Sequence, residues 1–235
     1  EILPPLEGQR VLDAGCGLGG TMLDLAARGG GTFTGLTLSE RQARVARQAA
    51  ARAKLDQRVQ IFVQSYDTLA PPGHDVVIAI ESLAHSPNPH ASLRALAGRL
   101  VPGGLLVVID DMPLAAARGT RDLAAFQAGW RLPVLSTDSE LLTALGDCGL
   151  VPVENRDLTA ALRPRSLRRI AQLEALNRLL RSLAPTAGLR AMLDSYHGGL
   201  ALERLYRHSL MHYRFVVARK DYATAMRGAP ANAAS

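Results

Sequence analysis

Through the first 110 residues, apolar runs of strand length alternate with stretches whose apolar positions recur at helical period. Arg10 to Asp13 ends a strand, Leu18 to Arg28 reads as a helix, Thr32 to Thr37 as a strand, and Ser39 to Lys54 as a long helix with Ser39 as N-cap. Next come a strand at Val59 to Gln64, an apolar run at Asp75 to Ile80 and a helix at His90 to Leu100. A strand at Leu105 to Asp110 follows the turn Pro102, Gly103, Gly104. Such alternation predicts a parallel sheet joined by right-handed crossovers.

After Asp111 the rhythm changes. Met112 to Arg131 reads as loop plus helix, Ser139 to Cys148 as a helix, Val151 to Asp157 as a strand, Leu167 to Leu183 and Leu189 to His208 as helices, and Met211 to Arg219 as a closing strand. The fold expected is α/β: a doubly wound, mostly parallel seven-stranded sheet whose last strand, reached through a helical insertion, pairs antiparallel at the sheet edge. The boundaries expected are a core at 1–157, a helical insertion at 158–209 lying over the strand ends as a lid, a final edge strand at 210–220 and a flexible tail at 221–235.

Composition narrows the class. The chain has 235 residues, enough for one sizeable core, and nowhere do about 18 consecutive apolar residues occur as a membrane span requires. A soluble, cytoplasmic protein without stable membrane insertion is expected, and because the chain opens on Glu1 rather than Met, residues preceding it are expected to be missing. Cys16 and Cys148 show neither metal-type nor disulfide-type spacing, so no metal is expected. The net charge of +6 attracts anions, but only 4% of residues are aromatic and the arginines are scattered along helices, which argues for solvated helix faces over nucleic acid binding.

The candidate chemistry begins at Asp13, Ala14, Gly15, Cys16, Gly17, Leu18, Gly19, Gly20, where glycines follow a strand and precede a helix. A chain that turns sharply there and approaches a ligand closely needs residues without Cβ. Nicotinamide dinucleotide sites use a similar G-x-G-x-x-G turn, but no acidic residue ends the second strand at Thr34 to Thr37, where a dinucleotide ribose is held. The form D-x-G-x-G-x-G resembles motif I of class I S-adenosylmethionine-dependent methyltransferases, which have a Rossmann-like fold. The resemblance implies S-adenosyl-L-methionine as cofactor, its amino-acid part held by Asp13, Gly15, Cys16 and Gly17.

Gly35 to Ser39 with Gln42 is similar to the G-(I/L)-T-L-S-x-x-Q stretch of small-molecule methyltransferases, which implies Thr37, Leu38 and Gln42 beside the ribose and methionine moieties. Gln42 reads equally as an exposed residue of the first helical turn. In that family an acidic residue after the third strand often touches the adenine amino group. The matching position is Gln64, followed by Ser65 and Tyr66, and its carboxamide oxygen would accept the same bond as a neutral, weaker partner.

Past the fourth strand stand Glu81, Ser82, Leu83, Ala84, His85, Ser86, Pro87. Residues just beyond the carboxyl end of a parallel strand border the ligand crevice, and only here do a carboxylate and an imidazole lie four apart beside it, making Glu81 and His85 the catalytic candidates. The alternative is that Glu81 caps the following turn and His85 packs under the lid. Asp110 and Asp111 either point to the same crevice or cap the next element. Ala79, Ile80, Glu81, His85 and Pro87 match the A-I-E-A-T-x-H-A-P segment of sterol C-methyltransferases and enzymes methylating carbon in isoprenoids, although many O- and N-methyltransferases carry E-x-x-x-H here. The resemblance implies C-methylation of an isoprenoid alkene, where the double bond becomes a carbocation that Glu81 stabilises and Glu81 or His85 deprotonates. An O- or N-acceptor needs only His85 as base or positioner. Base N-methylation of nucleic acid is disfavoured by the lack of an N/D-P-P-Y/F motif, and a catalytically dead binding protein is the remaining alternative.

For the substrate side, Arg163, Arg165, Arg168 and Arg169 at a helix entrance offer guanidinium forks for a diphosphate, or else form a solvated helix face. Phe126 and Trp130 lie one helical turn apart and either wall an apolar pocket or pack in the core. Tyr196, His197, Tyr206, His208, His212 and Tyr213 gather polar aromatics near the end of the insertion. The expected partner is a small, hydrophobic molecule, and a homo-oligomer is open.

Overall fold

The computed structural model describes residues 5–68 and 73–221; of the tail expected at 221–235, all but Asp221 lies outside the described residues. Seven strands form one sheet: β1 (Arg10–Ala14), β2 (Thr32–Thr37), β3 (Val59–Val63), β4 (His74–Ile80), β5 (Leu100–Pro113), β6 (Leu150–Asp157) and β7 (Met211–Lys220). Their order is β3-β2-β1-β4-β5-β7-β6, parallel from β3 through β5, with β7 antiparallel to both its neighbours. The chain winds outward from β1 to β3, then returns to lay β4 on the other side of β1, so the strand order reverses between β1 and β4. In a doubly wound sheet that reversal opens a crevice at the carboxyl ends of those strands.

Successive strand residues serve opposite faces, which is why the central strands read as unbroken apolar runs. Leu12, Val77, Leu106 and Val216 face a core shared with α3 (Pro89–Arg99) and α5 (Asp138–Asp147). Their neighbours Val11, Val76, Val107 and Val217 face a second core shared with α1 (Gly20–Gly29) and α2 (Glu40–Arg52). Ser39 accepts from the Gln42 amide at the start of α2, and Thr137 with Glu140 closes a capping box on α5.

The last strand corrects one expectation. β7 is not at the edge but lies between β5 and β6, leaving β6 outermost. The reason is chemical. Val216, Val217 and Ala218 are buried on both faces, whereas β6 contains Pro152, Glu154 and Arg156 and leaves Val151 and Val153 about half exposed. A proline cannot donate to a central ladder and charge blunts an edge, so β6 suits the rim and β7 the interior.

Between β6 and β7 run α6 (Leu167–Leu183) and α7 (Ala187–Arg207). α7 packs on α4 (Arg121–Trp130), and Leu123, Phe126, Leu135, Ala201, Leu205 and Met211 form a third core beneath them. The two helices meet at glycines: a Cβ on Gly129 would lie 2.8 Å from the Gly198 Cα and 2.6 Å from the Asp194 carbonyl oxygen. Gly129→Ala gains about 1 kcal/mol of helix propensity. Its methyl, however, meets backbone atoms that no rotamer change can move, an overpacking cost of ~1–3 kcal/mol. The substitution is expected to lower the urea unfolding midpoint, and a raised midpoint would show that α4 and α7 do not pack this closely.

Candidate active site

The crevice predicted by the strand reversal is present as a cleft of about 460 Å³. Its floor is the turn between β1 and α1. Gly15 and Cys16 donate their amides to the Leu36 carbonyl, pinning the turn to the end of β2, and Gly15 and Gly17 hold φ of 99° and 53°, a region that disfavours side chains. A Cβ on Gly15 would lie 2.6 Å from the Ser82 Cβ, so the chain after β1 touches the chain after β4. At Gly17 nothing stands within 4 Å of a built Cβ, leaving bare backbone toward the cleft.

The walls come from the loops after β2, β3 and β4. Thr37, Leu38, Gln42, Gln64, Ser65, Tyr66, Glu81 and His85 all line the cleft, as does Asp67, which the sequence reading missed. Thr37 Oγ1 donates to Gln42 Oε1 over 2.7 Å, turning that carboxamide inward, while Leu38 stands 79% exposed at the rim. The Tyr66 hydroxyl donates to the Ser82 carbonyl at 3.2 Å, and burial pushes its pKa up to about 12. Ser82 Oγ is buried without a hydrogen-bond partner among the described residues. A buried hydroxyl left unpaired calls for an explanation, and Ser82 is among the residues that line the cleft.

A directional hydrogen-bond chain ties two of these walls together. The Asn88 amide donates to Ser86 Oγ, and Ser86 and Ser92 share a bond of 2.7 Å. Ser92, fully buried on α3, donates to Asp67 Oδ1 at 2.7 Å. Because that hydroxyl has one proton and spends it on the carboxylate, Ser86 must be the donor to Ser92. Asp67 Oδ2 accepts from Ser65 at 3.2 Å.

Two predicted contacts lie elsewhere. Cys16 is buried behind the turn, its sulfur against the Gly35 side of β2, and burial pushes its pKa up to about 12. Asp13 also sits beneath the turn and does not line the cleft; it has no hydrogen-bond partner among the described residues, and desolvation raises its pKa to about 7.

Glu81 adopts φ 49°, a conformation that costs a non-glycine residue about 1–2 kcal/mol. It is held there by its amide donating to the Ile109 carbonyl at 2.8 Å and by the Tyr213 hydroxyl donating to Oε1 at 2.9 Å. Asp110 Oδ2 accepts from the Ala84 amide at 3.2 Å, capping the short turn that carries His85. The Tyr206 hydroxyl donates to Asp111 Oδ1. Burial, with the Asp111 charge beside it, raises the Asp110 pKa to about 7; burial also raises that of Asp111 to about 6, against the Tyr206 bond. Burial lowers the His85 pKa, with Glu81 acting in the opposite direction.

The substrate expectations fare differently. Phe126 is core between α4 and α7, edge-on to Trp130 at 5.4 Å, and the Trp130 indole donates to the Ser195 carbonyl at 3.0 Å, so neither walls the cleft. Arg165 pairs with Glu203 at 3.0 Å and Arg163 donates to the Ala160 carbonyl, both on the outer surface because the insertion turns that segment away. Tyr196 is exposed on α7 and His197 faces Glu174 at 3.6 Å. His212 stands 3.9 Å from Asp157, and His208 ends α7. Of the polar aromatics, Tyr206 and Tyr213 are the ones bonded to carboxylates at the strand ends.

Residues 11–104 match a family model described as a methyltransferase domain. An O-methyltransferase rstn1 of Aspergillus nomiae is 30% identical over 160 residues, 67% of this chain and 71% of that protein. A ubiquinone biosynthesis O-methyltransferase of Paracidovorax citrulli is 38% identical over 104 residues, 43% of each chain, so the chain spans less than half the length of that relative. Among solved structures, the geranyl diphosphate C-methyltransferase of Streptomyces coelicolor superposes with a TM-score of 0.72 at 22% identity, over 93% of this chain and 72% of that one, a likeness of fold.

If the Ser86–Ser92–Asp67 chain holds the cleft wall, Ser92→Ala loses about 1 kcal/mol of stability. It also speeds amide hydrogen exchange across residues 64–68. Exchange unchanged in that segment would show that Asp67 is held by Ser65 alone.

Proposed function

The chain belongs to the class I S-adenosylmethionine-dependent methyltransferases, and on that premise we propose that it transfers a methyl group to a hydroxyl of a small molecule bound over Glu81 and His85. Four features of the cleft fit the cofactor: open backbone at Gly17, the unpaired Ser82 hydroxyl, the exposed Leu38 at the rim, and a volume within the roughly 300–1,000 Å³ of small-molecule sites. Asp13 adds a buried carboxylate under the turn, able to favour the cationic methionine end through space. When bound, S-adenosylmethionine supplies an electrophilic methyl on sulfur for in-line displacement.

What the chain's residues contribute is positioning and one proton transfer. Much of the catalysis of such a displacement is proximity, which a cleft walled by fixed loops provides. His85 carries the reading. Its lowered pKa keeps the imidazole neutral at neutral pH, so a ring nitrogen can accept the proton of an attacking hydroxyl, and it lines the same cleft as the glycine turn. Glu81, fixed by Tyr213, borders the imidazole and favours the imidazolium that forms. The relatives named O-methyltransferases support this assignment.

A second reading, C-methylation of an isoprenoid alkene, is favoured by the carboxylates Glu81 and Asp111, each with a phenol, at the strand ends. These can stabilise a cation and then remove a proton. A diphosphate-bearing acceptor would need a cationic site other than Arg163 and Arg165. Methyl-labelled cofactor with a panel of phenols, alcohols and prenyl compounds separates the two, an O-methyl product supporting the first and a new carbon–carbon bond the second.

His85→Gln is expected to lower kcat by about 100-fold at pH 7 while cofactor affinity, read by calorimetry, stays within about twofold. The acid limb of kcat/KM should fall below the ordinary imidazole value of 6.5 and vanish in the variant. An acid limb that survives the substitution would remove His85 as the base. Asp13→Ala should weaken cofactor affinity at least about tenfold, since the charge beneath the turn is lost; undiminished affinity would make Asp13 a purely structural residue.

A further inference from the structure

The outer helix of the insertion carries a surface that the methyl-transfer reading does not use. α6 buries Ile170 and Asn177 toward α7, yet its outer side presents Leu183 at 70%, Leu179 at 57%, Leu176 at 50% and Leu180 at 45% exposure. At 100° per residue these four leucines fall in one arc of about 100°, clear of the α7-facing side. Met192, 60% exposed at the start of α7, adds a fifth large apolar side chain from the same helical pair. Solitary exposed leucines need no explanation, but four in one stripe do.

Charge says what covers the stripe. Residues 163–190 hold seven arginines and a single acidic residue, Glu174, which is itself bound by Arg204. Arg165 and Arg181 are paired with Glu203 and Asp194. Arg163, Arg168, Arg169, Arg178 and Arg190 have no carboxylate partner among the described residues. On the same wheel Arg168 and Arg169 stand beside the stripe at the N-terminal end of α6, and Arg178 lies about 100° round from the nearest leucine; an apolar stripe bordered by unpaired guanidinium groups is the composition of a helix that lies in the headgroup plane of a bilayer.

We propose that the outer face of α6 docks on an anionic lipid surface, the leucines entering the headgroup boundary and the arginines meeting lipid phosphates. A nucleic acid would use the arginines and gain nothing from the leucines. A second copy would bury the leucines but bring like-charged arginines face to face across a two-fold axis. No helix among the described residues is long and apolar enough to cross a membrane, so the contact is peripheral.

The test is flotation of the full chain with phosphatidylglycerol-containing vesicles and with phosphatidylcholine vesicles, at low and high salt. Binding is expected to the anionic vesicles, weakened by salt. It should drop at least roughly tenfold both in Leu180→Ser/Leu183→Ser and in Arg168→Glu/Arg169→Glu, with unfolding midpoint and cofactor affinity unchanged. Absence of binding to anionic vesicles overturns the proposal, as does binding that both variants retain. A dimer seen by light scattering and lost in the leucine variant, or a DNA complex lost in the arginine variant without vesicle binding, assigns the face to those partners instead. None of these readouts involves turnover, so failure here leaves the methyl-transfer reading standing.

Discussion

The contact on which the cleft depends is the one between Gly15 and Ser82. A Cβ at Gly15 would intrude to 2.6 Å from that of Ser82, so the chain leaving β1 and the chain leaving β4 touch at the point where strand order reverses. Everything on the ligand side follows from that approach. The turn is held from the other side by two amides on the Leu36 carbonyl, which brings the end of β2 and its Thr37 and Gln42 into the same wall. The Tyr66 bond to the Ser82 carbonyl and the serine chain to Asp67 then tie the loop after β3 to the segment after β4. Four strand ends thereby share one rigid rim, which is what an in-line displacement requires of its surroundings.

That rim is assembled at an electrostatic cost. Asp13, Asp110 and Asp111 are all buried with raised pKa values, about 7, 7 and 6. A carboxylate whose folded pKa lies above its unfolded value contributes most to stability at low pH. That contribution is lost as pH rises from the ordinary 3.8 through the folded value. Near neutrality these groups therefore weaken the fold, and the stability comes from the two sheet faces and the α4–α7 core. Ionisable groups retained where burial opposes them concentrate at functional sites. The left-handed backbone of Glu81, beside them, follows the same logic.

The cofactor half was legible because its signals are local. The glycine turn, the Ser39 cap and the segment Glu81 to His85 each lie within a few consecutive residues, and the period-two and period-3.6 patterns placed all seven strands. What escaped was long-range. The buried run Val216 to Ala218 and the proline in β6 together imply that β7 is interior, but only when the two strands are compared as neighbours. An acid does stand after the third strand, at Asp67, three residues beyond Gln64, and it lines the cleft together with Gln64, Ser65 and Tyr66, its two oxygens accepting from Ser92 and Ser65. Phe126 and Trp130 look alike as pocket wall or core, and only the Gly129–Gly198 crossing decides for core. Arg163 and Arg165 gave no sequence sign that Glu203, almost forty residues on, would claim one of them.

The second half of the chain joins the first through Tyr206 and Tyr213, whose hydroxyls reach Asp111 and Glu81. Tyr206 belongs to α7, and α6 packs on the same helix, so the leucine stripe and the carboxylates lie on two sides of a helical layer. A helix with its side chains is about 10–12 Å across. On the proposed docking, α7 is the element that stands between the α6 surface and Asp111. Glu81 is fixed from β7 itself, whose Tyr213 stands near the start of the strand, so the sheet rather than the insertion holds the carboxylate that borders His85. One phenol from α7 and one from β7 thus tie the helical insertion and the last strand separately to the strand ends, at Asp111 and at Glu81.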